Sequence, residues 1–195
     1  MNNSSKRFVT LVLLGWLCFA LGLGGWFQNA SAPAVAATVW TLTALALLAC
    51  WRVRPIKVWA LNVGLRWLVL FHITRLFAGA YFLVLCRRGE LPCAFARPAG
   101  WGDIIVAVFA LAVVAAMRTQ FAKTLLLTWN TIGLVDIIFV VFSALRFGLT
   151  DWQSMHALRE LPLSLLPTFL VPLIIASHVL IFVRLARRGI VRGNH

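Results

Sequence analysis

The chain has 195 residues, of which 62% are hydrophobic and only 12% are charged. Soluble domains carry about 25% charged residues, so this composition excludes an ordinary soluble fold and predicts one transmembrane domain over residues 1–195. The formal net charge of +13 would suit a nucleic-acid-binding protein. However, the basic residues lie between apolar segments rather than in one patch. We therefore expect the lipid bilayer as a partner, and no nucleic acid.

Six apolar segments predict an all-α bundle of about six transmembrane helices, because about 20 apolar residues are needed to cross the hydrocarbon core. The predicted spans are residues 8–27, 34–51, 67–86, 101–117, 124–145 and 163–183. The first span resembles a signal peptide, since Lys6-Arg7 precedes it and Ala30-Ser31-Ala32 follows it. Its apolar run is longer than that of a usual leader, and Pro33 would follow the cut. We therefore expect this span to be retained.

The third span contains a charge that hydrocarbon tolerates poorly. Arg75 lies near its middle, where insertion of a charge costs about 2.5–3.5 kcal/mol. His72, Arg75 and Gly79 fall on one face of this helix. The segment before the span, residues 52–66, contains both basic and aliphatic residues, and we expect it to lie along the membrane interface.

Two cysteines, Cys86 and Cys93, flank the connection to the fourth span. Their spacing permits a disulfide across a short turn in an oxidising compartment, and it leaves open whether the bond forms. Asp103 stands at the start of the fourth span, at the outer mouth of the bundle. A carboxylate there would cap the N-terminus of the helix; contact with a substrate is the alternative.

The fifth span carries Asp136 near its middle, at about the depth of Arg75. An ion pair between these two residues would make both charges tolerable in the membrane. Such a pair either joins two helices structurally or forms a site for a substrate or a proton. Asn130 lies on the same stripe of the helix and adds a polar group closer to the cytoplasmic surface.

Prolines interrupt the last span. Pro162, Pro167 and Pro172 each remove a backbone donor, and a helix broken in this way either lines a cavity at the outer mouth or is merely kinked. Pro167 lies almost on the same face as His178. In the preceding loop, Thr150-Asp151-Trp152-Gln153 predicts either a short interfacial helix or an ordered loop.

His72 and His178 have similar predicted depths on different helices. A bis-histidine haem requires two such imidazoles as axial ligands, so haem is a candidate cofactor, with these residues as its candidate ligands. Alternatively, each histidine forms hydrogen bonds within the bundle. No zinc-protease or c-type haem site is predicted, because no HExxH, CxxCH or clustered Cys/His motif occurs.

Lys and Arg residues are divided unevenly between the two sides of the predicted bundle. Eleven lie on the side of the N-terminus and five on the other side. Because cytoplasmic loops carry the excess of basic residues, we expect both termini to face the cytoplasm.

Four strings in the chain resemble small multi-span bacterial proteins of unassigned function. They are Arg75-Leu76-Phe77-Ala78-Gly79, Ala99-Gly100-Trp101-Gly102-Asp103, Trp129-Asn130-Thr131-Ile132-Gly133-Leu134-Val135-Asp136, and Leu166-Pro167 followed by Pro172 and His178. The resemblance covers most of the chain from the third span onward. It implies a bacterial inner membrane and no particular activity.

The leading functional hypothesis is a small carrier or permease-like protein with a small-molecule substrate. Arg75 would bind an anionic group of the substrate and Asp136 would exchange a proton, with Asn130, His72 and His178 as accessory groups. A haem- or quinone-linked redox protein that uses His72 and His178 is the alternative from another class. A third hypothesis is an accessory subunit of a membrane complex with no substrate of its own.

Overall fold

Apolar helices form most of the computed structural model, which describes residues 3–23 and 27–192, the last five of these by their backbone alone. Within these ranges, six helical segments are long and apolar enough to cross a membrane. Helices satisfy every backbone donor and acceptor within their own segment, as hydrocarbon requires. The predicted all-α bundle with six spans is confirmed, and the chain is a multi-pass membrane protein.

The α-helices of the described residues follow one another with short connections. In chain order they are α1 (Asn3–Gly22), α2 (Ala32–Arg52), α3 (Arg54–Asn62), α4 (Leu65–Phe71), α5 (Thr74–Arg88), α6 (Cys93–Ala115), α7 (Ala122–Thr150) and α8 (Val171–Arg192). Helices α4 and α5 together form the third candidate span, and a π-helical turn, Leu166–Leu170, precedes α8 in the sixth.

Two ends of the bundle can be distinguished by their charges. The basic end contains the start of α1, the end of α2, all of α3 and the end of α8, with Lys6, Arg54 and Arg187 among its residues. The opposite end contains the turn between α5 and α6 and the connection between α7 and α8.

The six spans differ in how far they are buried in the bundle. In the most apolar 18-residue window of the sixth span, 56% of the residues are buried, whereas the first two spans reach only 17% and 11%. The last span is therefore central, and α1 and α2 are peripheral.

The third span changes geometry at His72. Helix α4 ends at Phe71, and α5 begins at Thr74. Between them, the backbone N–H of His72 donates to the carbonyl of Val69, and that of Arg75 donates to the carbonyl of His72, both at 3.1 Å. These bonds to the third preceding residue tighten the backbone into a 3₁₀-type turn. This irregularity lies between His72 and Arg75.

The fourth span is longer than its sequence indicated. Helix α6 begins at Cys93 rather than at residue 101, because Arg97 and Pro98 lie on an exposed face while Phe95 and Ala99 are buried on the other. A proline near the start of a helix interrupts little. The predicted bounds of residues 101–117 therefore omit the first eight residues of this helix.

Helices α5 and α6 make a close backbone contact. A Cβ added to Gly79 would meet the carbonyl oxygen of Gly100, and one added to Gly100 would lie 2.8 Å from the carbonyl oxygen of Gly79. Small residues permit this approach between membrane helices. The contact brings Asp103, one turn after Gly100, beside Arg75, one turn before Gly79.

Prolines disrupt the start of the sixth span, and a tryptophan compensates for one of them. Pro172 cannot donate to the carbonyl of Thr168, four residues earlier. That carbonyl instead accepts a hydrogen bond of 2.9 Å from the indole N–H of Trp16 in α1. The bond fixes peripheral helix α1 to the broken part of the central span.

Two connections between the spans differ in how much helix they contain. Residues 52–66 contain the short helix α3, whose Arg54 and Lys57 are exposed while Ala60 is buried, as expected for an interfacial helix. The loop after α7 contains a 3₁₀ turn, His156–Arg159, where a short interfacial helix and an ordered loop were the two expectations. Trp152 closes this loop over the bundle by donating to the carbonyl of Ala30 at 2.8 Å.

Candidate functional site

Arg75 lies at the centre of the bundle with none of its surface exposed. Its Nε donates to Asp103 at 2.6 Å, and one terminal nitrogen donates to the carbonyl of Gly133 at 3.0 Å. The other terminal nitrogen donates to the carboxylate of Asp136. The predicted ion pair between Arg75 and Asp136 is therefore present, but it is one half of a larger arrangement. We call Arg75, Asp103 and Asp136 the triad.

Asp103 occupies a different position from the one its sequence suggested. Because α6 begins at Cys93, Asp103 lies well inside that helix, and its side chain has only 4% of its surface exposed. The prediction that Asp103 caps the N-terminus of the helix was wrong. Asp103 lies in the protein interior against Arg75 rather than at the surface. The close contact of Gly79 with Gly100 is what brings this carboxylate to the guanidinium.

Glycines also make room for the other carboxylate. The Cα of Gly102 lies against the carboxylate of Asp136, so that a Cβ at this position would overlap one of the carboxylate oxygens. Gly133 precedes Asp136 by one turn and presents its carbonyl to Arg75. Of the two aspartates, Asp136 is the more accessible, with 17% of its side chain exposed.

The triad contains one positive and two negative side chains when all three are ionised. Its formal charge is then −1, and it becomes neutral when it holds one proton. Since an uncompensated charge is costly within hydrocarbon, one bound proton would make the triad easier to accommodate in the membrane.

His72 and His178 form a second polar layer next to the triad. Both are fully buried, and their ring centroids lie 4.2 Å apart with the rings tilted by 44°. The ring of Trp129 lies at their edges, with its centroid 5.0 Å from that of His72 and 5.7 Å from that of His178. The two histidines are therefore in direct contact, and they come from α8 and from the turn between α4 and α5.

Hydrogen bonds assign the protons on both imidazoles. Asn130 accepts from Nδ1 of His178 at 2.8 Å and donates to its backbone carbonyl at 3.0 Å. The hydroxyl of Ser177 donates its one proton to the carbonyl of Ile174 and so accepts from Nε2 of His72 at 3.0 Å. The remaining ring nitrogens, Nδ1 of His72 and Nε2 of His178, are buried and without a hydrogen-bond partner.

This arrangement does not fit a haem bound between the two histidines. An axially ligated haem has one imidazole on each face of the porphyrin, so the macrocycle would separate the rings. Rings in contact at 4.2 Å leave no space for it. The observed contacts agree with the alternative expectation, that each histidine forms hydrogen bonds within the bundle. Among the described residues, no group of three or more His, Cys, Asp or Glu side chains is arranged to hold a metal ion.

A small cavity of about 70 Å³ lies between the triad and the end of the bundle opposite the basic end. Arg75 and Asp103 supply the charged groups of a lining that is otherwise mostly aliphatic and aromatic, and Pro167 of the π-helical turn lies in its wall. Trp152 and Leu158 of the loop after α7 also contact it. The cavity can hold only a few water molecules or a very small solute.

Cys86 and Cys93 form a disulfide in the structure, with their Cα atoms 4.8 Å apart. The bond joins the last turn of α5 to the first residue of α6. It lies at the opposite end, on the same pair of helices that contributes Arg75 and Asp103. It therefore holds those two helices in register close to the contact between Gly79 and Gly100.

Sequence reasoning missed three residues that complete the polar layers. They are Asp103 as a partner of Arg75, Ser177 as the acceptor for His72, and Trp129, whose indole N–H donates to the carbonyl of Val106 at 2.9 Å. The spacing of Gly79 and Gly100 relative to the two charges was the available signal for Asp103. Ser177 stands next to His178, but nothing in the sequence links it to His72.

Comparison with known proteins identifies a family without adding an activity. No curated protein and no solved structure matches the chain. One family model matches residues 5–186, and its description is "Domain of unknown function (DUF8737)". Since this match covers all but the ends, the chain belongs to the DUF8737 family.

Proposed function

We propose that this protein is a small carrier or permease-like protein of a bacterial inner membrane, built as a single transmembrane domain with the triad as its polar site. The observation that carries the proposal is a fully buried Arg75 held between two carboxylates at one wall of a cavity. Ionisable residues within membrane spans are uncommon and mark pathways for substrates, ions or protons.

The contacts of Arg75 favour a role that differs from direct binding of an anion. All three of its nitrogens already donate to protein oxygens, so an anionic substrate would have to displace a carboxylate. Arg75 instead holds the two aspartates at one place, where their surplus charge binds a proton. Asp103 contacts the cavity, and Asp136 is partly exposed. The proposal is that the bound proton exchanges through the cavity at Asp103 and through the exposed part of Asp136.

The histidine layer is an accessory part of this site. Asn130 and Ser177 orient His178 and His72 so that each ring keeps one nitrogen with a free lone pair. Those nitrogens are the next proton acceptors towards the basic end. The proposal therefore includes Asn130, His72 and His178 together with the triad.

Infrared spectroscopy of the purified protein tests whether the triad holds a proton. We expect a band from a protonated carboxyl group at neutral pH in the wild type. Either Asp103→Asn or Asp136→Asn should remove it, because one remaining carboxylate pairs with Arg75 without a proton. Glu160→Gln, which changes an exposed loop residue, should keep the band and serves as the control. A wild-type spectrum without the band, or a band that survives both aspartate variants, contradicts the proposal.

Transport is tested in proteoliposomes that contain a pH-sensitive dye. Monocarboxylates, amino acids, sugars and primary amines are added in turn under an imposed pH gradient. We expect one of these classes to move protons in the wild type and in Glu160→Gln, and to do so at least tenfold more slowly in Asp136→Asn. Equal rates in the wild type and in a correctly folded Asp136→Asn variant would refute the assignment of the triad as the transport site.

A further inference from the structure

A second, much larger cavity lies at the basic end, away from the triad. Its volume is about 600 Å³, and we call it the groove. Helices α1, α2, α3, α4 and α8 all contribute to its walls, and the lining is almost entirely apolar. Its residues include Trp16, Ala46, Trp59, Val63, Trp67 and Ser177.

The groove is open on one side and is far larger than the voids found inside proteins. Interiors are close-packed with few voids larger than a water molecule, and one water accounts for about 30 Å³ in the liquid. The groove is also bordered by α1 and α2, the two least buried spans. In a membrane, hydrocarbon from the bilayer is therefore available to fill it.

Basic residues are close in the chain to residues that line the groove at the basic end. Arg52, Arg54, Lys57 and Arg66 are all exposed and lie within two residues of groove-lining positions in the chain. Before Glu90 the chain has no acidic residue at all. The segments from α1 to α4, which supply most of the groove lining, therefore carry basic side chains and no carboxylate, and we call Arg52, Arg54, Lys57 and Arg66 the basic rim.

The shape of helix α3 suits the headgroup region of a bilayer. It is a short helix with Arg54 and Lys57 exposed, Ala60 buried and Trp59 in the wall of the groove. Tryptophan and basic residues are the side chains that membrane proteins place at the interface between headgroups and hydrocarbon. A lipid here would have its polar part beside α3 and its chain along the groove.

We propose that the groove is a binding site for an anionic phospholipid, with one acyl chain between α1, α2 and α8 and the phosphate against Arg54 and Lys57. Basic pockets between membrane helices bind phosphate-bearing lipid headgroups, and the apolar walls account for the chain. This site is separate from the triad and goes beyond the proposed carrier function, which does not depend on it.

Native mass spectrometry of the detergent-purified full chain tests the proposal after delipidation. Phosphatidylglycerol, phosphatidylcholine and inorganic phosphate are added separately at equal concentrations. We expect a saturable one-to-one complex with phosphatidylglycerol, binding at least tenfold weaker for phosphatidylcholine, and none for phosphate alone. Equal binding of the two lipids would overturn the role of the basic rim, and binding of phosphate alone would overturn the role of the groove.

Two matched pairs of variants locate the binding site. Ala46→Phe puts a ring into the groove, whereas Ala44→Phe puts the same ring on an exposed face of the same helix. We expect the first to weaken phosphatidylglycerol binding at least tenfold and the second to leave it unchanged. Equal affinities for the two variants would refute the assignment of the groove, whatever the affinity of the wild type.

The second pair tests the charges. Arg54→Gln with Lys57→Gln should weaken binding of phosphatidylglycerol about 25-fold, because each basic residue near an anionic surface contributes about fivefold. Arg118→Gln with Lys123→Gln removes the same charge at the same end, from the 3₁₀ turn after α6 and from α7, neither of which lines the groove. This control pair should change the affinity less than threefold. Equal losses in both pairs would indicate attraction by net charge alone and would overturn the proposed headgroup site.

Discussion

Replacing Arg75 with methionine would leave two buried carboxylates without their cation. The side chain makes three hydrogen bonds, to Asp103, to the carbonyl of Gly133 and to Asp136. Removing one partner of a buried ion pair costs about 3–5 kcal/mol. Since Arg75→Met leaves two carboxylates unpaired, we expect a loss near the upper limit, about 5 kcal/mol.

A triple replacement separates stability from function. Arg75→Met combined with Asp103→Leu and Asp136→Leu removes every charge of the triad while keeping side chains of similar volume. Buried ion pairs replaced in this way are often neutral or more stable by about 1–4 kcal/mol. We therefore expect the triple variant to recover most of the stability that Arg75→Met loses, and to lack the protonated-carboxyl band of the wild type.

Reversible unfolding in mixed micelles of a mild detergent and sodium dodecyl sulfate measures these free energies through loss of helicity. The control is Arg97→Met, because Arg97 lies on α6 with an exposed side chain. An Arg75→Met variant that is within about 1 kcal/mol of the wild type would refute the reasoning, because it would mean that the two carboxylates need no partner. A triple variant as unstable as the single one would mean that the triad is required for the fold itself.

Three further predictions concern packing, hydrogen bonding and the disulfide. Gly79→Ala should lower the free energy of unfolding, because its Cβ would meet backbone of the facing helix, whereas Gly15→Ala, which has nothing within 4 Å, should be neutral or stabilising by up to about 1 kcal/mol; equal effects in the micelle assay would contradict the close contact of α5 with α6. Asn130→Leu should cost about 1–3 kcal/mol because the N–H of its histidine partner loses its acceptor. Thr131→Val, an exposed neighbour that bonds only within its own helix, should cost less than about 0.5 kcal/mol, and similar losses would argue against the polar layer. In denatured protein kept free of reductant, a maleimide should label two of the four cysteines, and all four after reduction; four labels without reductant would contradict the disulfide.

Hydrophobicity predicted the fold well because the membrane imposes one length and one secondary structure on every span. Errors arose where a span extends beyond the hydrocarbon or departs from a regular helix. The start of α6 was missed because Arg97 and Pro98 look like loop residues, although they lie on an exposed face of a continuing helix. The break at His72 was missed because residues on both sides of it are equally apolar.

The polar site was predictable only in part, since depth can be counted along a helix but the direction of a side chain cannot. Equal depth was enough to pair Arg75 with Asp136. The same argument failed for Asp103, because the start of α6 was placed too late in the chain and the depth of Asp103 was therefore predicted wrongly. The approach of the helices at Gly79 and Gly100 then determined which carboxylate reaches Nε of Arg75, and no single helix contains that information.

The orientation with both termini in the cytoplasm stays a prediction, and the acidic residues and the disulfide both bear on it. The five acidic residues of the chain lie either near mid-membrane, as in the triad, or towards the opposite end, as for Glu90, Asp151 and Glu160. The basic end has none of them, and its excess of Lys and Arg is what a cytoplasmic surface is expected to carry. The disulfide lies at the opposite end, where an oxidising compartment would allow it to persist. In this orientation the groove would meet the leaflet that supplies anionic lipids to cytoplasmic basic residues, while the cavity at the triad would lie towards the outside. The two proposed sites would then serve different sides of the membrane, with the buried carboxylates between them.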